Sequence, residues 1–274
     1  MSRILVTGGA GVLGRELGAG LPRAGCTVRL TSRRPPSSHC AEVEWVRADL
    51  ETGAGLGEAV TGADVILHAA SSPLKRTYST DVLGTERLLE HARAARVTHI
   101  IYISIVGVDR IPLDYYRHKL AAEALVQAAG LPWSILRATQ FHTFVDNQLQ
   151  SLVRMPIGLL PTDFRFQPID PGDVADRLVE CAMIGPAGRL PDLGGPDVCT
   201  LGELAQTWLA ARGLQRRLVR VPLPGKMANA FRRGFNTVPT HAEGKVTWAD
   251  WVRRKYGPAR QSTNDQATRE RNPA

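Results

Sequence analysis

The sequence predicts an α/β protein: a doubly wound parallel sheet with a small, irregular C-terminal cap. Three observations carry this. Short apolar runs alternate with longer helix-like segments through the first 140 residues. A glycine-rich turn joins the first run to the first helix, and after about Phe141 the rhythm gives way to frequent proline and glycine. Strand-helix alternation of this kind implies right-handed crossovers between parallel strands, with helices on both faces.

Strands are expected at 4–6, 27–30, 43–46, 65–67, 99–103 and 133–136, several of them apolar on consecutive positions. Such runs suit strands covered on both faces. Helices are expected at 12–23, about 80–95 and 113–129, with Gly25 and Gly130 as stops. Further on, Pro156, Pro161, Pro168, Pro171, Pro186, Pro191 and Pro196 break the chain, leaving short helices at 172–183 and 201–211. The organisation is therefore a sheet core over 1–140 and a substrate-cap region over 141–256 with segments returning to the core. The polar stretch 257–274 is an expected disordered tail. There is no internal repeat.

Hydrophobic residues make up 43% of the 274 and charged residues 22%, the balance of a soluble globular chain. No apolar run approaches the ~18 residues that cross a bilayer. The chain enters a strand at once, so no signal peptide is expected and the predicted location is cytoplasmic. Cys26, Cys40, Cys181 and Cys199 are scattered without a CxxC pair, which reads as free thiols in a reducing compartment, with no metal site. The net charge of +8 is concentrated: residues 204–242 contain no acid but carry Arg212, Arg216, Arg217, Arg220, Lys226, Arg232 and Arg233. A basic patch suits nucleic acid, an anionic lipid surface or an anionic substrate, and equally a solvated face. No nucleic-acid motif accompanies it, so nucleic acid is not an expected partner.

Thr7-Gly8-Gly9-Ala10-Gly11-Val12-Leu13-Gly14 follows a strand and opens a helix. Gly9-x-Gly11-x-x-Gly14 fits a dinucleotide fingerprint, and Thr7-Gly8-x-x-Gly11-x-x-Gly14 an overlapping form. Glycines permit the tight turn and bring backbone against a pyrophosphate, whose charge the helix N-terminus favours. The plainer reading is a glycine turn without ligand. After the second strand stands Thr31-Ser32-Arg33-Arg34, with no acid before Glu42. An acid there would bind a ribose 2′-hydroxyl; an arginine pairs with a 2′-phosphate. The expected cofactor is therefore NADP rather than NAD, unless Arg33 and Arg34 merely decorate a loop.

Further segments fall in a recognisable order: ADL at 48–50, ILHAAS at 66–71, DVLGTERLLEHA at 81–92, YISIVGVD at 102–109, YYRHKLAAEALV at 115–126, ILRATQFH at 135–142 and FQPIDPGDVAD at 166–176. With the glycine turn, the sequence resembles the short-chain dehydrogenase/reductase superfamily of Rossmann-fold proteins, in its atypical, NmrA-like and extended branches. The resemblance implies that Asp49, with Leu50 beside it, meets adenine, and that the segment His68, Ala69, Ala70 and Ser71 lines the cofactor. His68 alone also reads as a packed core histidine. The reactive signature Tyr-x-x-x-Lys maps onto Tyr115 and Lys119, which share a helix face at i and i+4. A phenol near pKa 10 is a poor acid or base at neutral pH, and a neighbouring ammonium lowers it. The pair would thus be catalytic, or else a half-buried tyrosine beside a snorkelling lysine. Ser104 maps onto the serine that polarises the substrate oxygen. Here the chain departs from the pattern: Ser104 stands alone beside Ile105, the gap to Tyr115 is short, and Tyr116 competes with Tyr115.

The cleft above the carboxyl ends of the strands is the expected substrate site. Gln140, Phe141 and His142 follow the last clear strand and are the expected lining, with Thr139 and Phe144 close by. Met227, Phe231 and Phe235 recur at i, i+4 and i+8, as a lid, a membrane-surface helix or simple packing would. The expected activity is NADP-dependent hydride transfer to or from a small carbonyl, alcohol or quinone. The alternatives are a non-catalytic NADP(H) sensor and a nucleotide-sugar epimerase or dehydratase. The resemblance also implies a possible homodimer through the helix that bears Tyr115.

Overall fold

The computed structural model describes residues 2–34, 43–150 and 157–257. β1 (Arg3–Thr7) turns through the glycines into α1 (Val12–Arg23), and β2 (Thr27–Ser32) and β3 (Val43–Arg47) follow. After α2 (Leu56–Val60) and β4 (Val65–His68), a π-helical turn at Tyr78–Leu83 runs into α3 (Gly84–Ala94). β5 (His99–Ile105), α4 (Asp114–Ala128) and β6 (Trp133–Ala138) complete the first half. The chain continues through α5 (His142–Leu149), β7 (Ile157–Leu160), β8 (Arg165–Phe166), α6 (Pro171–Ile184) and β9 (Gly188–Arg189). It ends with β10 (Cys199–Thr200), α7 (Leu201–Ala211), β11 (Arg217–Arg220), α8 (Lys226–Arg232) and α9 (Trp248–Tyr256).

The main sheet has seven parallel strands in the order β3-β2-β1-β4-β5-β6-β9. Alternation along β1 divides the core. Ile4 and Val6 face α1 and α6, packing with Leu13, Leu17, Val174 and Leu178. Leu5 faces the other way with Ile66, Ile100, Leu88 and Val126, under α2, α3 and α4. Each fully buried leucine or isoleucine contributes about 1.5–3 kcal/mol. The doubly wound sheet expected from the sequence is what the chain forms, and its order reverses between β1 and β4. Their carboxyl ends, Thr7 and His68, therefore open the crevice where such sheets bind ligands.

Two expectations are modified. The helix expected at 80–95 is wound as a π turn over its first residues, where the Thr85 hydroxyl donates to the Asp81 carbonyl at 2.6 Å. The cap is also more regular than its prolines suggested. Val145, Leu149, Leu204, Trp208, Trp248 and Val252 form their own buried cluster across α5, α7 and α9. Buried Asp146 joins them, accepting from Trp208 Nε1 at 2.6 Å, Tyr256 Oη at 2.6 Å and Lys255 Nζ at 2.8 Å. Short helices with non-local partners leave little periodicity to read, which is why α5 and α9 are absent from the sequence reading.

The basic stretch is largely engaged with its neighbours. Arg220 and Arg232 both bond Asp163, at 2.7 and 2.6 Å. Arg212 lies 4.5 Å over the Trp208 ring, and Arg233 lies 4.6 Å over Phe235. Phe231 stacks on Phe164 and Phe166, so the 227–235 segment packs onto the protein's own aromatic residues. Among the described residues no helix is long and apolar enough to cross a membrane. Cys26, Cys181 and Cys199 are free, while Cys40 and the expected tail from residue 258 onward lie outside the described residues.

Candidate active site

Three glycines of the turn are closely hemmed in, while Gly11 is exposed. Gly8 has φ of 74°, and a Cβ there would stand 2.8 Å from Ala70 Cα. A Cβ on Gly9 would meet Leu30 Cβ at 2.7 Å, and one on Gly14 would run into the Gly8 carbonyl oxygen. Gly9 N–H donates to the Thr31 carbonyl and Gly11 N–H to that of Gly8, both at 2.8 Å. Gly11 begins α1 with no side-chain cap, so the first-turn amides at Val12, Leu13 and Gly14 have no partner within the helix. Leu13 anchors that turn in the core while Val12 stays half-buried.

A cavity of about 230 Å³ opens beside this turn, lined by Thr7, Gly8, Gly11, Ser32, Arg33, Asp49, Leu50 and the segment Ala69–Ser72. Exposed Arg33 is on its wall; Arg34, its backbone N–H bonded to Ser32 Oγ, is not. Asp49 uses one carboxylate oxygen on the Glu51 N–H at 2.9 Å, fixing the loop after β3. A closely approached backbone and uncapped helix amides are the donor set a nicotinamide dinucleotide requires, and Arg33 stands beside them just past β2. The residues present fit the group.

Hydrogen-bond directions define His68. Because Thr85 gives its hydroxyl proton to Asp81, its oxygen accepts from His68 Nε2 at 2.9 Å. Nδ1 therefore accepts from Thr7 Oγ1 at 2.7 Å, and that oxygen accepts the Ala70 N–H at 3.2 Å. Burial, then the charge of Lys119, pulls the His68 pKa down to about 3, so the ring is neutral. It serves as a bracket between β1, β4 and α3.

Tyr115 and Lys119 share a face of α4 but have different partners. The Tyr115 hydroxyl lies 2.8 Å from Ser71 Oγ, on the cavity wall. Lys119 is buried, donates to the Ile103 carbonyl at 2.7 Å and lies 4.1 Å from the Tyr102 ring centre. Among the described residues it makes no hydrogen bond to Tyr115. Burial brings Lys119 down to about 8, with Asp81 and Glu123 opposing. Burial and the Asp81 charge push Tyr115 above the usual tyrosine range, the reverse of the lowering expected from a lysine partner. Tyr116 is pushed up to about 12 by burial and packs with Val108, Ile111 and Ala230.

Ser104 sits buried at the end of β5, its hydroxyl without a hydrogen-bond partner among the described residues. The three expected substrate residues diverge. Gln140 is buried and accepts from Asn236 at 3.2 Å. Phe141 packs into the core cluster on the α1 side. His142 is fully buried against Trp248 and Trp251, with Nε2 donating to the Val246 carbonyl. The sequence reading also passed over Asp81 and the Glu123–Arg137 pair. Arg137 binds Glu123 through two bonds of 2.8 and 2.7 Å and Asp109 at 3.2 Å, tying α4 to β6. An acid inside the apolar stretch 120–126 was the available signal for Glu123, whereas Asp81 follows Ser79 and Thr80 and carries no such signal.

Comparison with known proteins agrees with this geometry. The model of a family described as NAD(P)H-binding matches residues 8–183. An uncharacterized protein of Mycobacterium tuberculosis is 30% identical over 81% of the chain, which spans only 24% of that relative's length. A (4-alkanoyl-5-oxo-2,5-dihydrofuran-3-yl)methyl phosphate reductase of Streptomyces griseus is 31% identical, over 78% of the chain and 75% of the relative. A 4-hydroxy-2-methyl-3-oxo-4-farnesyl-3,4-dihydroquinoline-1-oxide ketoreductase of Stigmatella aurantiaca is 33% identical, over 83% and 78%. The Escherichia coli NADPH-dependent quinone oxidoreductase structure superposes with a TM-score of 0.75 over 92% of this chain and 99% of that one, at 18% identity, and so shares the fold. The chain has the Rossmann-type fold and belongs to the family described as NAD(P)H-binding.

Proposed function

We propose that the protein is an NADP-dependent oxidoreductase that moves hydride to or from a small carbonyl, alcohol or quinone. The observation that carries this reading is the contact between Ser71, on the wall of the dinucleotide cavity, and the Tyr115 hydroxyl at 2.8 Å. It brings an acid-base group to the cofactor crevice. The Streptomyces and Stigmatella relatives, both named reductases, support the reading.

NADPH, when bound, supplies hydride at its nicotinamide ring. The Gly8–Gly14 turn and the open amides of α1 would hold its pyrophosphate, and Arg33 its 2′-phosphate, with Asp49 and Leu50 flanking the adenosine side. Tyr115 gives a proton to the substrate oxygen in reduction and takes one in oxidation. The hydroxyl of Ser104 orients that oxygen. Lys119, fixed to the Ile103 carbonyl, supplies positive charge beneath the site.

The test is NADPH consumption over a panel of carbonyls and quinones, with Tyr115→Phe as control. Turnover that survives the substitution undiminished removes Tyr115 from the mechanism. A second reading, a non-catalytic NADP(H) sensor, draws on the suppressed ionisation of Tyr115 and its lack of a bond to Lys119. Binding that discriminates NADP from NADPH, without turnover of any panel member, would favour it.

A further inference from the structure

Three side chains beside the cavity form one continuous line. Ser71 Oγ lies 2.6 Å from Asp81 Oδ1 and 2.8 Å from the Tyr115 hydroxyl. A serine hydroxyl has one hydrogen and a carboxylate only accepts, so that hydrogen goes to Asp81. Tyr115 is therefore the donor to Ser71. The second oxygen of Asp81 accepts the Ser72 N–H at 3.1 Å, and the residue is 1% exposed. The hydrogen bonds of the line are thus polarised toward a buried carboxylate.

We propose that Asp81 is the proton terminus of this site, exchanging a proton with Tyr115 through Ser71. The proposal rests on the reading that Tyr115 meets the substrate oxygen. In oxidation the alcohol O–H bond breaks and its proton joins the Tyr115 oxygen. The phenol's own proton passes to Ser71 Oγ, and that of Ser71 passes to Asp81 Oδ1. The substrate C–H electron pair leaves as hydride to the oxidised nicotinamide, a carbonyl forms, and Asp81 ends neutral. Reduction runs the same transfers backwards from a neutral Asp81. Asp81 is a positioning residue in this scheme, because it acts through Ser71. Tyr115 then works without ever standing as a free phenolate, in keeping with its burial beside a negative charge.

The charged and titratable groups around the line come from every neighbouring element. They are Tyr116, His118, Lys119 and Glu123 on α4, Tyr102 on β5, His68 on β4 and Tyr78 at the start of the π turn. None of them bonds to Ser71, so substitution at 71 or 81 cuts the line and leaves those groups in place.

The experiment uses the full chain labelled with 13Cζ-tyrosine, free of cofactor and substrate, at neutral pH, with Tyr115→Phe assigning the resonance. In the wild-type protein the Tyr115 signal is expected displaced toward the phenolate position by charge-assisted donation. In both Asp81→Asn and Ser71→Ala it returns toward the neutral-phenol position. A Tyr115 signal that stays at its wild-type position in Asp81→Asn overturns the proposal; if that variant does not fold, Ser71→Ala decides in the same way. With a turned-over alcohol, Ser71→Ala lowers kcat near neutral pH by about a hundredfold with KM little changed. The deficit narrows toward about pH 10 as hydroxide accepts the proton. An equal deficit at both pH values also overturns the relay. Absence of turnover in the wild type would defeat the reductase reading alone, since the resonance comparison needs no substrate.

Discussion

His68 Nδ1 lies 2.7 Å from Thr7 Oγ1, so the last residue of β4 is bonded to the last residue of β1 where the sheet order reverses. This bond requires a neutral imidazole with its proton on Nε2, and stability should report it. The folded pKa is about 3 against an ordinary value of 6.5. The unfolded chain therefore binds the extra proton between those values, and stability falls as pH drops through that window. The expected loss from His68 is about 2 kcal/mol between neutral pH and about pH 5. Urea denaturation at the two pH values checks this, with His68→Gln losing that part of the dependence.

Gly14→Ala should separate folding from binding. Its Cβ would collide with the Gly8 carbonyl oxygen and lie 2.6 Å from Gly9 Cα, forcing the turn open. Overpacking of this kind costs about 2 kcal/mol. Loss of two aligned amide bonds to a pyrophosphate lowers NADPH affinity by about a hundredfold. Thermal melting and fluorescence titration read the two effects.

Arg33→Ala tests the cofactor assignment. Arg33 is on the cavity wall, while Arg34 is not. Removing one charge-assisted pair should weaken NADPH by about tenfold or more and leave NADH within about twofold. Arg34→Ala should change neither appreciably. Equal loss for both cofactors would mean that Arg33 does not read the 2′-phosphate.

Asp146→Ala should loosen the cap. Burial raises the Asp146 carboxyl, but hydrogen bonds from Lys255, Tyr256 and Trp208 outweigh it and hold it below the usual range. Removing it strands a lysine and a tryptophan N–H and destabilises by about 3 kcal/mol. Hydrogen exchange should rise across α5, α7 and α9 first, with NADPH affinity little changed.

The sheet was legible because its signals are local. Consecutive apolar residues mark β4 and β5, and the TGGAGVLG run at 7–14 shows strand, turn and helix in eight residues. The site was legible in its parts and not in its connections. Ser71, Asp81 and Tyr115 meet in space across forty-four positions of chain, and nothing in their spacing predicts that the phenol turns to a serine instead of Lys119. His142 shows the opposite case: it directly follows a strand end that faces the crevice, yet α5 rotates it beneath Trp248 and Trp251. Those tryptophans lie more than a hundred residues later, beyond any local pattern.

The 2.8 Å that separates a virtual Gly8 side chain from Ala70 has a mechanical meaning. It leaves room for a hydrogen and nothing larger, so the turn and the segment leading to Ser71 lie backbone against backbone. One glycine thus sets the width of the crevice floor between the pyrophosphate end and the residue that touches Tyr115.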